Sequence, residues 1–412
     1  MPSNGSKLFS LWFVIAISIN VILGAGIFVN STPLAQLAGP LGFLSYIIVA
    51  LIVLPLVLSI AELSKIHKAT EGGFYTYSKE GIGRWAGNIS AFAYFLGKIA
   101  SISVLFRTIS TYFYNIFPSF EVFPIVYTRI ILLILLVFLN LLGVKIGGKL
   151  QIGFIFLKFV PITLVILLGI FYFNFSHLTF QNISFSSFAS SVSIAIYALM
   201  GFEAACLIGH TIDSAEKNIS KAVVFSFLIV ATVCMLFQNS IFGVLGTSLA
   251  QSQAPVADFF AKIPFIEKTF GIVLPKLISG FVMLSILGAA YGMIFVNSWN
   301  IFSIVKESKF KSIKKLTSIN KHGAPYLALI FQGFLVLFFL TINVNVLFIA
   351  RIAILGILTS YTFSATSLLM IYKTRGKEIK LPKFVAVLSL FSCAYIGINC
   401  IKDLIYTFKN FF

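Results

Sequence analysis

Eleven separate apolar runs constrain this chain more than any other feature of its sequence. They fall at about 9–30, 41–63, 89–115, 125–143, 152–173, 187–209, 222–246, 273–304, 325–343, 346–372 and 384–407. Each approaches or exceeds the roughly 20 residues a helix needs to cross a bilayer core. Unpaired backbone groups are too costly in lipid, so such runs cross as helices. The expectation is an all-α polytopic membrane protein. Composition agrees: 59% of the 412 residues are hydrophobic and 10% charged, against about 25% charged in soluble domains. A soluble enzyme, a nucleic-acid-binding domain and a disordered chain are excluded, and nothing is left over for a soluble domain. The first segment, with Lys7 before an apolar run and no small-residue cleavage site, reads as a retained helix.

The net charge of +18 would point to nucleic acid on a soluble protein. Here topology explains it. With the N-terminus inside, the inner loops carry twenty Lys and Arg and the outer segments six, the asymmetry of a cytoplasmic N-terminus. The long outer loop, about 247–272, has room for a small lid helix. Cys206, Cys234, Cys393 and Cys400 lie in apolar runs without metal-site spacing, so neither zinc nor a disulfide framework is expected.

Two runs carry glycine-containing interruptions: Gly24-Ala25-Gly26-Ile27-Phe28 in the first and Met200-Gly201-Phe202-Glu203 in the sixth. Glycine also serves close helix packing, so either alone is ambiguous. Together they fall at matching places if spans 1–5 and 6–10 are repeats, which points to a transporter binding site. Unwinding a helix in mid-membrane frees N–H groups for a carboxylate and carbonyls for an ammonium. A zwitterionic amino acid supplies both charges.

At these residues the sequence resembles the amino acid–polyamine–organocation transporters. The stretch Ser18 to Phe28 is similar to the family's span 1 signature. Glu71-Gly72-Gly73-Phe74-Tyr75-Thr76-Tyr77, Asn140-Leu141-Leu142-Gly143-Val144-Lys145, Tyr197 to Glu203 with Glu216-Lys217-Asn218, and Asn320-Lys321-His322-Gly323-Ala324-Pro325 resemble four further family motifs in order. Departures are Ile219 where a proline is usual, Asn297-Ser298-Trp299 and Lys306-Glu307-Ser308 after span 8, and eleven spans instead of twelve.

The resemblance implies a leucine-transporter-type fold with five-plus-five inverted repeats, about 9–173 and 187–372, and an extra helix at 384–407, all in one transmembrane domain. It implies a substrate carboxylate at Ala25, Gly26 and Ile27, and an amine near the carbonyls around Ile22 and Tyr197, beside Gly201. Tyr197 falls where relatives use an aromatic gate; a packing tyrosine is the alternative.

Ionisable groups inside spans are functional candidates. By the resemblance, Lys158 occupies the place of a coupling ion and carries a proton; alternatively it snorkels to an interface about seven residues away. Glu203, on the second interruption, either handles protons or caps free N–H groups. Lys98 shares a helical face with Ile102 and Leu105. With Arg351 approaching the same pocket, it would favour an acidic side chain. The rival reading is an apolar pocket of Ile102, Leu105 and Met293 for a neutral amino acid, with the two cations paired elsewhere. Arg107 is expected on the opposite face, and Glu62 as a solvated helix-end residue.

No nucleophile–base set, zinc-protease motif or phosphate-binding loop occurs. No cofactor or metal is expected. The partners are the amino acid, the lipid bilayer and protons, with the chain a monomer or homodimer. The expectation is a secondary transporter of a plasma membrane, of bacterial type, working by proton symport or by exchange. A channel or non-transporting receptor is the alternative class.

Overall fold

Where the first apolar run should be one helix, there are three. α1 (Leu11–Ile22) stops, the chain bends, and α2 (Gly26–Val29) and α3 (Ser31–Ala38) follow in turn. The cause is local: the Gly24 N–H folds back onto the Ile22 carbonyl at 2.7 Å, closing a turn where the helical ladder would continue. The sixth run breaks in the same way, into α9 (Phe185–Leu199) and α10 (Ala204–Leu207). There Met200 is extended and Gly201 has φ +115°, a region open to glycine alone.

These elements belong to a computed structural model that describes residues 9–67, 73–179, 183–271, 273–307, 311–342 and 346–409. Glu71, Gly72 and Ser308 of the motifs, and Lys7, Lys68 and Lys309 of the basic loops, lie outside the described residues. Within them, α4 (Gly42–Ile66) and the short α5 (Phe74–Gly81) lead to α6 (Arg84–Ile116), α7 (Ile125–Leu141) and α8 (Val144–Phe171) ahead of the second break. After it come α11 (Ala215–Leu245), then α12 (Pro255–Ala261) and α13 (Pro264–Phe270) in the long loop, and α14 (Val273–Lys306). The short α15 (Lys311–Lys314), α16 (Tyr326–Thr341), α17 (Val346–Arg375) and α18 (Lys383–Lys409) complete the chain. Among the described residues, eight helical segments are long and apolar enough to cross a membrane; α1, α7 and α16 are shorter apolar helices. Each of the eleven runs is thus helical. The single lid helix expected at 247–272 is a pair.

Several helices start earlier than hydropathy predicts. α8 begins at Val144 rather than near 152, and α11 at Ala215 rather than 222. Lysines and glycines lower the hydropathy of these first turns without interrupting the hydrogen-bond ladder. α14, with 34 residues, rises about 51 Å at 1.5 Å per residue, well past a bilayer core of about 30 Å.

Small residues bring the central helices together. A Cβ at Gly97 would lie 2.8 Å from the Ala353 carbonyl, so α6 and α17 are in backbone contact there, the close approach typical of membrane helices. Two motifs distant in sequence also meet. Asn320 donates to the Leu141 carbonyl at 2.8 Å and accepts from the N–H groups of His322 and Ala324. Gly143, at φ +90°, lies against His322 where no side chain would fit.

At the lysine-rich end, ion pairs tie the helix ends. Glu307 accepts from Lys79 at 2.6 and 2.8 Å and from the Tyr75 hydroxyl at 2.7 Å, while its carbonyl takes Arg84 at 2.6 Å. Burial and the neighbouring carboxylate push the Tyr75 phenol up to about 12, so it remains a donor. The Lys79 bonds hold the Glu307 carboxyl below its ordinary range. A depressed carboxyl stabilises the fold above its unfolded pKa, and that stability is lost as pH falls through the folded value. Glu307→Gln is therefore expected to lower stability at pH 7 by about 0.2–1 kcal/mol for an exposed, screened pair, read as a lower melting temperature. The difference from wild type should vanish on acidification; a gap that persists at low pH would refute the assignment. Glu62 departs from expectation. It is buried, accepting from Lys65 at 2.8 Å and from the Lys380 N–H at 2.8 Å, because the approach to α18 covers the end of α4.

Candidate functional site

The two breaks face each other. A Cβ at Gly26 would stand 2.8 Å from both Cα and Cβ of Ala198, and one at Gly201 would stand 3.5 Å from the Ile22 Cα. Between the breaks, α6, α14 and α17 close a cavity lined by Ile22, Gly24, Ala25, Gly26, Lys98, Ser101, Leu105, Tyr197, Met200, Met293, Ile354 and Ile357. Its volume is about 20 Å³, room for one water.

The backbone at this cavity is under-used. Among the described residues, the N–H groups of Ala25, Gly26 and Ile27 donate to no backbone carbonyl, and no N–H from residues 200–203 returns to the last turn of α9. Free donors at the start of α2 and free acceptors at the end of α9 present the polarity that a carboxylate and an ammonium need.

Lys158 lies at the middle of α8, fourteen residues from its start, and is 0% exposed. Its ammonium donates to the Asn20 carbonyl at 2.8 Å and to the Leu23 carbonyl. It therefore ends on the C-terminal turn of α1, where the helix dipole favours a cation, and does not snorkel. The earlier start of α8 is the reason. No acidic partner of Lys158 occurs among the described residues. Beside it, Asn20 donates to Gln151 and, at 3.0 Å, to the Gly288 carbonyl, joining α1, α8 and α14.

Glu203, also 0% exposed, does not cap α10. Its Oε1 lies 3.0 Å from the Lys98 ammonium and accepts from the Tyr94 hydroxyl at 2.7 Å; its Oε2 accepts from the Tyr361 hydroxyl. Lys98 also stands over the Tyr94 ring, 5.2 Å from its centroid. This cluster links α6, the second break and α17.

Some expected residues lie elsewhere. Arg351 pairs with Asp403 of α18 at 2.8 Å and does not line the cavity, because that carboxylate at the α17–α18 seam supplies its partner. Ile102 is buried but does not line the cavity; Ser101, the neighbouring residue, does. Ile27 and Gly201 sit in the breaks without lining the space. Arg107 lies apart, donating to the Phe339 carbonyl at 3.1 Å and to the Ile342 carbonyl. Tyr94 and Tyr361 were missed by sequence reasoning. Tyr94 carried one signal, its position one turn before Lys98 on the same helical face; Tyr361 carried none.

The sequence model of the amino acid permease family matches residues 9–406 of this chain. The chain belongs to that family. Among curated proteins, the putrescine transporter PotE of Haemophilus influenzae is 25% identical over 95% of this chain and 92% of its own length. The serine/threonine exchanger SteT of Bacillus subtilis is 22% identical over 97% and 93% respectively. The arginine/ornithine antiporter of Pseudomonas aeruginosa is 26% identical over 83% and 73%. The permease is thus a multi-pass membrane protein with the all-helical fold of amino acid–polyamine–organocation transporters, and its relatives are transporters and exchangers.

Proposed function

We propose that this permease carries an amino acid across the plasma membrane, N-terminus inside, by alternating access between two inverted five-span repeats. The reading rests above all on the facing breaks. The free N–H groups of Ala25, Gly26 and Ile27 take the substrate carboxylate; the carbonyls at the end of α9 and around Ile22 take its amine. Tyr197 and Met200 border the chamber. A chamber of one water's volume is an occluded form, so transport requires opening towards each side in turn. On the lysine-rich side, opening must part α14 from α5 and α6, and Glu307 is the latch between them.

Lys158 supplies the coupling. Its ammonium holds two carbonyls of α1, one of them at the break itself. Losing the proton weakens both bonds and frees the break to move; regaining it draws the break closed. Proton occupancy then acts at Leu23 and substrate occupancy at Ala25, two residues along the same break. Lys158→Ala is expected to abolish the pH dependence of uptake into proteoliposomes while leaving exchange of internal for external substrate measurable. Retention of wild-type pH dependence would refute the role.

The names of the relatives, an exchanger and an antiporter among them, support a second reading: obligatory exchange, with Lys158 as a fixed internal cation. Uptake into empty vesicles driven by an inward proton gradient separates the two, since exchange gives none.

A further inference from the structure

Lys98 has two faces. It lines the cavity, and its ammonium lies 3.0 Å from Glu203, which stands behind the lining. We infer that Lys98 is a built-in cation occupying the place where a substrate amine would meet Glu203, and that this pair sets the substrate class as amino acids with uncharged side chains. The inference rests on the reading that the cavity takes an amino acid.

Three donors already serve the Glu203 carboxylate: Lys98, Tyr94 and Tyr361. A cationic substrate would find that carboxylate filled and a like charge in front of it. An anionic side chain would have to draw Lys98 away from Glu203, leaving the carboxylate unpaired in a site that is 0% exposed. Either charge added to a neutral pair leaves a net charge in a water-poor interior, which is costly. Arg351, the other cation that the sequence offers to compensate an acidic substrate, is committed to Asp403. The remaining side-chain wall, Leu105, Met293, Ile354 and Ile357, is apolar, with Ser101 and Tyr197 as its hydroxyls.

Removing one partner should therefore expose the other's preference. Lys98→Ala clears an aminopropyl-sized space before Glu203, which an amine of matching length fills. Glu203→Gln leaves Lys98 as an unpaired cation. Ligand-induced shifts in melting temperature, and competition against labelled serine or leucine uptake, would be measured on the full chain. The panel holds alanine, serine, leucine, glutamate, ornithine and 1,4-diaminobutane. Wild type is expected to respond to the neutral amino acids alone. Lys98→Ala should gain binding of ornithine and diaminobutane by about tenfold to a hundredfold, the worth of a charge-assisted hydrogen bond. These ligands should also restore its melting temperature. Glu203→Gln should gain glutamate, and the double variant neither. Wild type that takes ornithine, diaminobutane or glutamate as readily as serine overturns the inference. So does a folded Lys98→Ala that gains no cation. If Lys98→Ala does not fold, Glu203→Gln decides: gain of glutamate supports the inference and no gain overturns it. In both cases, saturable neutral uptake by wild type leaves the transport reading standing. Wild type that neither binds nor takes up any amino acid ends both.

Discussion

Gly26→Val abolishes substrate binding in a chain that still folds: this is the largest expected functional effect. A single Cβ at this position would meet the Cα and Cβ of Ala198 at 2.8 Å, whereas relaxed carbon–carbon contacts lie near 3.5–4.0 Å. The obstacle is the backbone of α9, which has no rotamer with which to yield. α2 must then move away from α9 by about 1 Å, and the free N–H groups of the first break move with it. Misplacement of about 1 Å can cost on the order of a hundredfold where geometry is exacting. Overpacking adds about 1–3 kcal/mol of destabilisation. Gly24→Ala is the control. Its Cβ would meet the Leu105 side chain at 3.5 Å, an ordinary contact, so a smaller loss is expected. Titration of purified protein with serine and leucine checks both. Wild-type affinity in Gly26→Val would remove the breaks from the binding site.

The second large effect is on stability. Glu203→Ala takes away the acceptor of Lys98, Tyr94 and Tyr361 at once. Lys98 is 2% exposed, so its charge would be left buried. Breaking a buried pair by deleting one partner typically costs about 3–5 kcal/mol, most of it from the charge left behind. Lys98→Met combined with Glu203→Ala buries no lone charge and should recover much of that loss. The resulting double-mutant cycle measures the coupling directly. Denaturant unfolding in detergent gives the four stabilities. A Glu203→Ala single variant as stable as wild type would mean that the pair contributes nothing to the fold.

The positions of the spans and breaks were readable along the chain because both are local properties. A run such as Ile125–Leu141 is apolar whatever surrounds it, and Gly24 with Gly26 weakens a helix wherever it lies. Boundaries were less readable. The turn from Val144 to Leu150 contains two glycines and two lysines, yet it winds without interruption, and so Lys158 lies twice as deep as hydropathy implies.

Charge pairing was the least readable. Lys98 and Arg351 differ little as isolated letters in apolar runs, and the sequence alone allowed both into one pocket. Glu203 lies 105 positions beyond Lys98, and Asp403 lies 52 beyond Arg351. Only the packing of α6 and α17 around the second break, and of α18 along α17, brought each acid to its base. The sequence by itself determined that this chain is a membrane-spanning helical protein interrupted twice, because transfer to lipid is summed residue by residue and glycine weakens a helix locally. The tertiary structure alone decided which buried charges cancel, because Coulomb attraction depends on distance in space, and in a low-dielectric interior a few ångströms separate a neutral pair from a charged site.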